Sequence, residues 1–179
     1  MKEIVKFIKE GLKITSKTKV DKYNYYPKTK KELQDLLKQL VKERGNEADF
    51  NDIDTSKITD MTDLFYDINE FNGDISKWDV SNVVNMNSMF YKCKSFNRPL
   101  NDWDVSNVTN MRYIFYGCEL FNRPLAKWDV SNVTDMNGMF YGCGSFNQDI
   151  SNWNVSNVKN SRKIFSNCPI EEKYKPIFK

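Results

Sequence analysis

The chain has 179 residues, 40% of them hydrophobic, and a formal charge of +3 at pH 7, which is enough apolar content for one sizeable core. It contains no histidine, so the commonest general base and the commonest metal ligand are both missing, and most familiar hydrolase and zinc-site mechanisms lose their central residue. Charge is uneven, with 13 Lys+Arg against 8 Asp+Glu over residues 1–49 and 14 against 16 over residues 50–179; the longer part lacks the clustered basic surface that releases phosphate counterions, so nucleic acid is not an expected partner.

Residues 1–20 form a basic amphipathic segment followed by the linker TSKTK. Its apolar residues are interrupted by Lys6, Lys9 and Glu10, unlike the unbroken apolar region of a secretion signal. Ile4, Phe7, Ile8 and Leu12 are candidates for docking in a partner's groove or lying on an anionic membrane surface. The plainer alternative is packing against the chain's own domain. No apolar run is long enough to span a bilayer, so the expectation is a soluble chain, cytoplasmic as synthesised, with a surface or virion location requiring another route.

Residues 21–49 read as an N-terminal cap. Aromatic, strand-like Tyr23–Tyr26 is followed by a capping box, Thr29-Lys30-Lys31-Glu32. Leu33, Leu36, Leu37, Leu40 and Val41 then follow at helical spacing, and Gly45 reads as the stop.

Residues 50–168 repeat. The hexapeptide WDVSNV begins at Trp78, Trp103 and Trp128, and returns at Trp153 with Asn154 in place of aspartate. At the same period of 25 residues fall Phe71, Phe96, Phe121 and Phe146, each followed by asparagine, and Cys93, Cys118, Cys143 and Cys168. Ile53–Ile58, Met61 and Phe65 mark a degenerate earlier copy. Such a period predicts a solenoid whose units bury their apolar faces against one another. Within a unit, Val108, Met111, Phe115 and Cys118 have the 3-4-3 spacing of a short helix face, with Thr109 as N-cap and Gly117 as stop. Alternation at Trp128-Asp129-Val130 suggests a short strand. The expected fold class is therefore α/β: a leucine-rich-repeat-like solenoid of about five 25-residue coils, each a short helix plus a short parallel strand, with an N-terminal helical cap and a rise of about 4.8 Å per coil. Residues 169–179, where the repeat has decayed, read as a C-terminal cap closed by Ile177 and Phe178.

With these columns assembled, the stretch from Ser106 to Trp153 closely resembles the bacterial surface-protein repeat of the BspA type, over roughly residues 50–168. Met-x-x-Met-Phe, Phe-Asn and Trp-Asp-Val-Ser recur together at fixed offsets, and Tyr26–Thr29 with the helix after it is similar to the cap that often precedes such repeats. The resemblance implies a leucine-rich-repeat-like scaffold that binds proteins or host surfaces without catalytic chemistry, in surface proteins of bacteria and in similar proteins of their phages.

Most repeated polar columns have a structural explanation. One thiol per coil without CxxC pairs is a poor metal arrangement, and buried reduced thiols are expected. Asp54, Asp79, Asp104 and Asp129 suit hydrogen bonds to following amides, the tryptophans at least partial burial, and Asn97, Asn122 and Asn147 a turn-satisfying ladder. Tyr91, Tyr116 and Tyr141 stand one position off the core stripe and are candidates for exposed contact. Columns that vary between copies are where specificity can be written, which adds Lys77, Asp102, Lys127 and Arg112. No catalytic residue, cofactor or metal is expected. The expected function is a non-enzymatic protein-binding or adhesion module. The alternative is an assembly component, of a phage or cell-surface particle, docked through its N-terminal peptide.

Overall fold

A computed structural model describes residues 22–178. The helix α1, Lys30–Arg44, begins where the sequence signals place it. Thr29 is extended (φ −131°) and its hydroxyl accepts from the Glu32 amide at 3.2 Å, while the Glu32 carboxylate accepts from the Lys28 amide at 2.7 Å. The reciprocal bond thus reaches one residue further back than in the standard capping box. Gly45 ends the helix in the left-handed region (φ 89°), a conformation that disfavours any side chain with a Cβ. Leu33, Leu37 and Leu40 are buried against the first coil. Arg44 clamps the cap in place: its guanidinium donates to both Asp52 oxygens, at 2.9 and 3.0 Å, and to the Tyr25 hydroxyl at 3.3 Å. Tyr25 in turn forms a parallel bridge with Ile53.

Beyond α1 the expected α/β architecture is overturned. Among the described residues there is no second α-helix and no extended strand; the remaining elements are one 3-10 turn, Glu172–Tyr174, and isolated parallel bridges. The coils are built from turns, and the hydrogen bonds give the reason. In the segment expected to be helical, the amides of Met111, Tyr113, Phe115 and Gly117 donate to carbonyls of the next coil (Asp135, Asn137, Met139 and Tyr141) at 2.7–3.0 Å. The intervening amides of Ile114, Tyr116 and Cys118 donate three residues back, at 3.0–3.3 Å. An α-helix requires each amide to bond four residues back, so half of its donors have been diverted to the neighbouring coil.

That alternation needs two left-handed residues in each coil. Asp63, Ser88, Tyr113, Gly138 and Lys163 form one such column and Asp67, Lys92, Gly117, Gly142 and Asn167 the other, all with φ between 54° and 69°. Thr109 is accordingly no N-cap, since its amide donates to Val84 O at 2.9 Å, and Gly117 is a turn residue rather than a helix stop. The segment read as a strand is also a turn, because Trp128 donates to Leu125 O and Val133 to Val130 O. The parallel bridges fall elsewhere, along Asp60, Asn85, Asn110, Asp135 and Asn160.

The stacked coils superpose their large side chains. Phe65, Phe90, Phe115, Phe140 and Phe165 form one ladder with ring centroids 5.5–5.9 Å apart, and Phe71, Phe96, Phe121 and Phe146 a second at 5.9–6.0 Å. At the far end Ile170 and Pro176 are buried, and the Ile150 amide donates to Tyr174 O at 3.0 Å. The expected C-terminal closure is corrected in part: Phe178 packs against the core, but Ile177 is 89% exposed.

Candidate recognition surface

In each coil a left-handed residue stands two positions ahead of the phenylalanine in the Phe65 column, and the residue after that phenylalanine is at least partly exposed. In four coils that residue is tyrosine. Tyr66, Tyr91, Tyr116 and Tyr141 stack with centroids 4.6, 4.7 and 4.6 Å apart and ring planes within 14° of parallel. The faces of Tyr91 and Tyr116 are covered by their neighbours, so there the ladder presents ring edges and hydroxyls to solvent. Burial between stacked rings, with the neighbouring phenols adding to it, holds the Tyr91 and Tyr116 hydroxyls above the usual tyrosine range. They remain neutral donors at physiological pH. The ladder ends at Tyr141, because its column continues with Ser166.

Tyr113 stands across the ladder, edge-on to Tyr116 at 5.5 Å and to Tyr91 at 6.3 Å. It fits because the next coil has Gly138: a Cβ there would lie 2.6 Å from the Tyr113 ring. Arg112 lies 4.6 Å over that ring and donates to its hydroxyl at 3.2 Å, a bond that also raises the guanidinium's pKa. Tyr113, Tyr116, Asn137, Gly138, Tyr141 and Lys163 enclose a notch of about 150 Å³. At the other end of the ladder Tyr66 borders an apolar cleft of about 430 Å³ between α1 and the first coil, shared with Leu37, Val41, Leu64 and Ile68.

The sequence-selected residues thus divide. Tyr91, Arg112, Tyr116 and Tyr141 come together on the ladder. Asp102 and Lys127 instead line a separate groove of about 310 Å³ with Asn101, Asp104 and Asp129, and pair with each other at 2.7 Å. Lys77 belongs to a further hollow with Lys22, Tyr23 and Asp52. Ile4, Phe7, Ile8 and Leu12 lie outside the described residues. Tyr66 and Tyr113 were missed. The first follows the phenylalanine of the degenerate copy, so extending the register by one column finds it; Tyr113 occurs in a single coil, and no periodicity marks it.

The invariant columns are occupied by the scaffold. Asp79 and Asp104 each accept from the amide and hydroxyl of the serine two residues on, at 2.6–3.1 Å, and Asp54 and Asp129 from the serine amide at 3.0 Å. Asn72, Asn97 and Asn122 each accept from the amide of the asparagine one coil later, at 3.0–3.1 Å. Every tryptophan is buried and donates to a carbonyl 28 residues earlier, at 2.8–3.3 Å. Cys93, Cys118 and Cys143 are buried free thiols that donate to Phe65, Phe90 and Phe115 carbonyls at 2.9–3.0 Å, and burial raises the pKa of each. No helix among the described residues is long and apolar enough to cross a membrane.

No curated protein and no solved structure matches the chain. A family model does, twice and in overlapping register, over residues 32–126 and 100–173. The overlap is what a multi-coil pattern gives on a chain whose coils are near-copies, and the first match starts within α1, so cap and coils are matched together. The chain belongs to the family described as Mycoplasma protein of unknown function, DUF285.

Proposed function

We propose that the chain is a non-enzymatic protein-binding module whose recognition surface is the tyrosine ladder with Tyr113 and Arg112. The observation that carries this reading is the unbroken row of four stacked, partly exposed tyrosines held on a hydrogen-bonded scaffold. Tyrosine and arginine are the residues that most often supply binding energy at protein interfaces. Rings already fixed by stacking lose little further freedom when a partner binds. The invariant polar side chains, by contrast, are engaged in turns and inter-coil bonds, which leaves them little chemistry to offer a substrate. The resemblance to bacterial surface-protein repeats accords with this reading.

The test is affinity capture from the native source, followed by direct binding of each captured protein. It compares the unaltered chain, a Tyr91→Ser, Tyr116→Ser, Tyr141→Ser variant and a Lys77→Ser, Lys127→Ser variant. The expected result is a partner whose affinity falls at least about tenfold with the tyrosine changes and stays within about twofold with the lysine changes. Undiminished binding by the tyrosine variant would refute the reading. Binding lost only on removal of residues 1–20 would instead favour an assembly component docked through its N-terminal peptide.

A further inference from the structure

We infer that the C-terminal half of the tyrosine ladder binds an acidic protein segment, taking its carboxylates at Arg112, Arg162 and Lys163 and its apolar side chains against Tyr116 and Tyr141. This rests on the recognition role proposed above and names the chemistry of the partner.

The coil register sets the cations. Arg112, Asn137 and Arg162 occupy one column in three successive coils, and Lys163 occupies the next column. Inter-coil bonds fix these columns beside the notch: the Tyr113 amide donates to Asn137 O and the Gly138 amide to Arg162 O, both at 2.9 Å. Lys163 itself lines the notch. All three cationic side chains are exposed, and among the described residues none makes an ion pair. Arg112 is already oriented by the Tyr113 ring and hydroxyl, and a preoriented guanidinium suits a planar carboxylate. Asp135, the carboxylate whose charge acts on Arg112, accepts from the Asn137 amide at 2.8 Å and from the Asn160 side chain at 3.3 Å. It leaves the three cations available.

Charge along the ladder favours a peptide over a polyanion. The two left-handed columns that carry Lys163 and Asn167 at the C-terminal end carry Asp63 and Asp67 in the first coil. A nucleic acid or sulfated polysaccharide, with negative charge at every step, would meet those carboxylates. A short segment with its acids at one end and apolar residues at the other would not, and like-charge exclusion of this kind is how interfaces reject wrong partners.

The experiment uses three fluorescein-labelled probes: an octapeptide with a run of Asp at one end and a run of Phe at the other, the same peptide with Asn for Asp, and an oligothymidylate. Fluorescence anisotropy should show the Asp–Phe peptide binding at least about tenfold tighter than the Asn–Phe peptide, and weakening as salt rises from about 50 to 300 mM. An Arg112→Gln, Arg162→Gln, Lys163→Gln variant should lose that preference. No binding of the Asp–Phe peptide, tighter binding of the thymidylate, or an unchanged preference in the variant would overturn the inference. Equal affinity for the two peptides, abolished by the Tyr91→Ser, Tyr116→Ser, Tyr141→Ser changes, would also overturn it while upholding the tyrosine surface.

Discussion

At the scale of single residues, the most consequential position for the surface is Gly138. It sits at φ 59°, where a Cβ is strained, and its missing side chain is the space that Tyr113 occupies. Gly138→Ala should therefore destabilise the chain by about 1–3 kcal/mol, measured by denaturant midpoint. In a Tyr113→Ala background the cost should shrink to the backbone share, about 1 kcal/mol. An equal cost in both backgrounds would mean that the ring and the glycine are not coupled. Part of this scale was legible in the sequence: register alone places Tyr91, Tyr116 and Tyr141 in one column off the core stripe, and the burial expected of the tryptophans is present, although the strand alternation that argued for it is not. What register could not supply was the partnership of Tyr113 with Gly138, because each occurs once in its column and the fit is made by two different coils.

At the scale of elements, the contrast is between α1 and the coils. Both carried apolar residues at helical spacing, yet only α1 has an N-cap that works, a terminal left-handed glycine and no neighbour competing for its interior amides. In the coils the 3-4-3 spacing arises differently, from successive turns with left-handed residues at Tyr113 and Gly117. Periodicity reports which side chains share a face, and turns and helices can share that answer. Hydrogen-bond destinations 24 residues away leave no local mark, although the Asp, Asn and Gly content of the left-handed columns was a sign. The two architectures respond differently to loss of a hydroxyl. Thr29→Ala removes a cap bond and should cost about 1 kcal/mol. Thr109→Ala, at the position expected to cap a coil helix, should stay within about 0.5 kcal/mol, because there the amide is bonded to the previous coil and the hydroxyl only donates to Val84 O at 3.3 Å. Equal losses in thermal unfolding would restore a helical coil.

At the scale of the whole molecule, the chain is a stack in which each coil satisfies its neighbour's amides, thiols and tryptophans, capped by α1 at one end and residues 170–178 at the other. Stability in such a stack is close to a sum over neighbouring coils, so surface positions can vary while the ladders persist. That separation explains why Lys77, Asp102 and Lys127 vary as freely as Arg112 without sharing its surface: variation marks tolerance as well as specificity, and only the geometry distinguishes the two. The most direct test places a photo-crosslinking benzoylphenylalanine at position 141, the open end of the ladder, or at position 127, in the separate groove, and irradiates each chain with its native partners. If the tyrosine ladder is the recognition surface, the adduct forms from position 141 and not from position 127; an adduct from position 127 alone, or equal adducts from both, would contradict it.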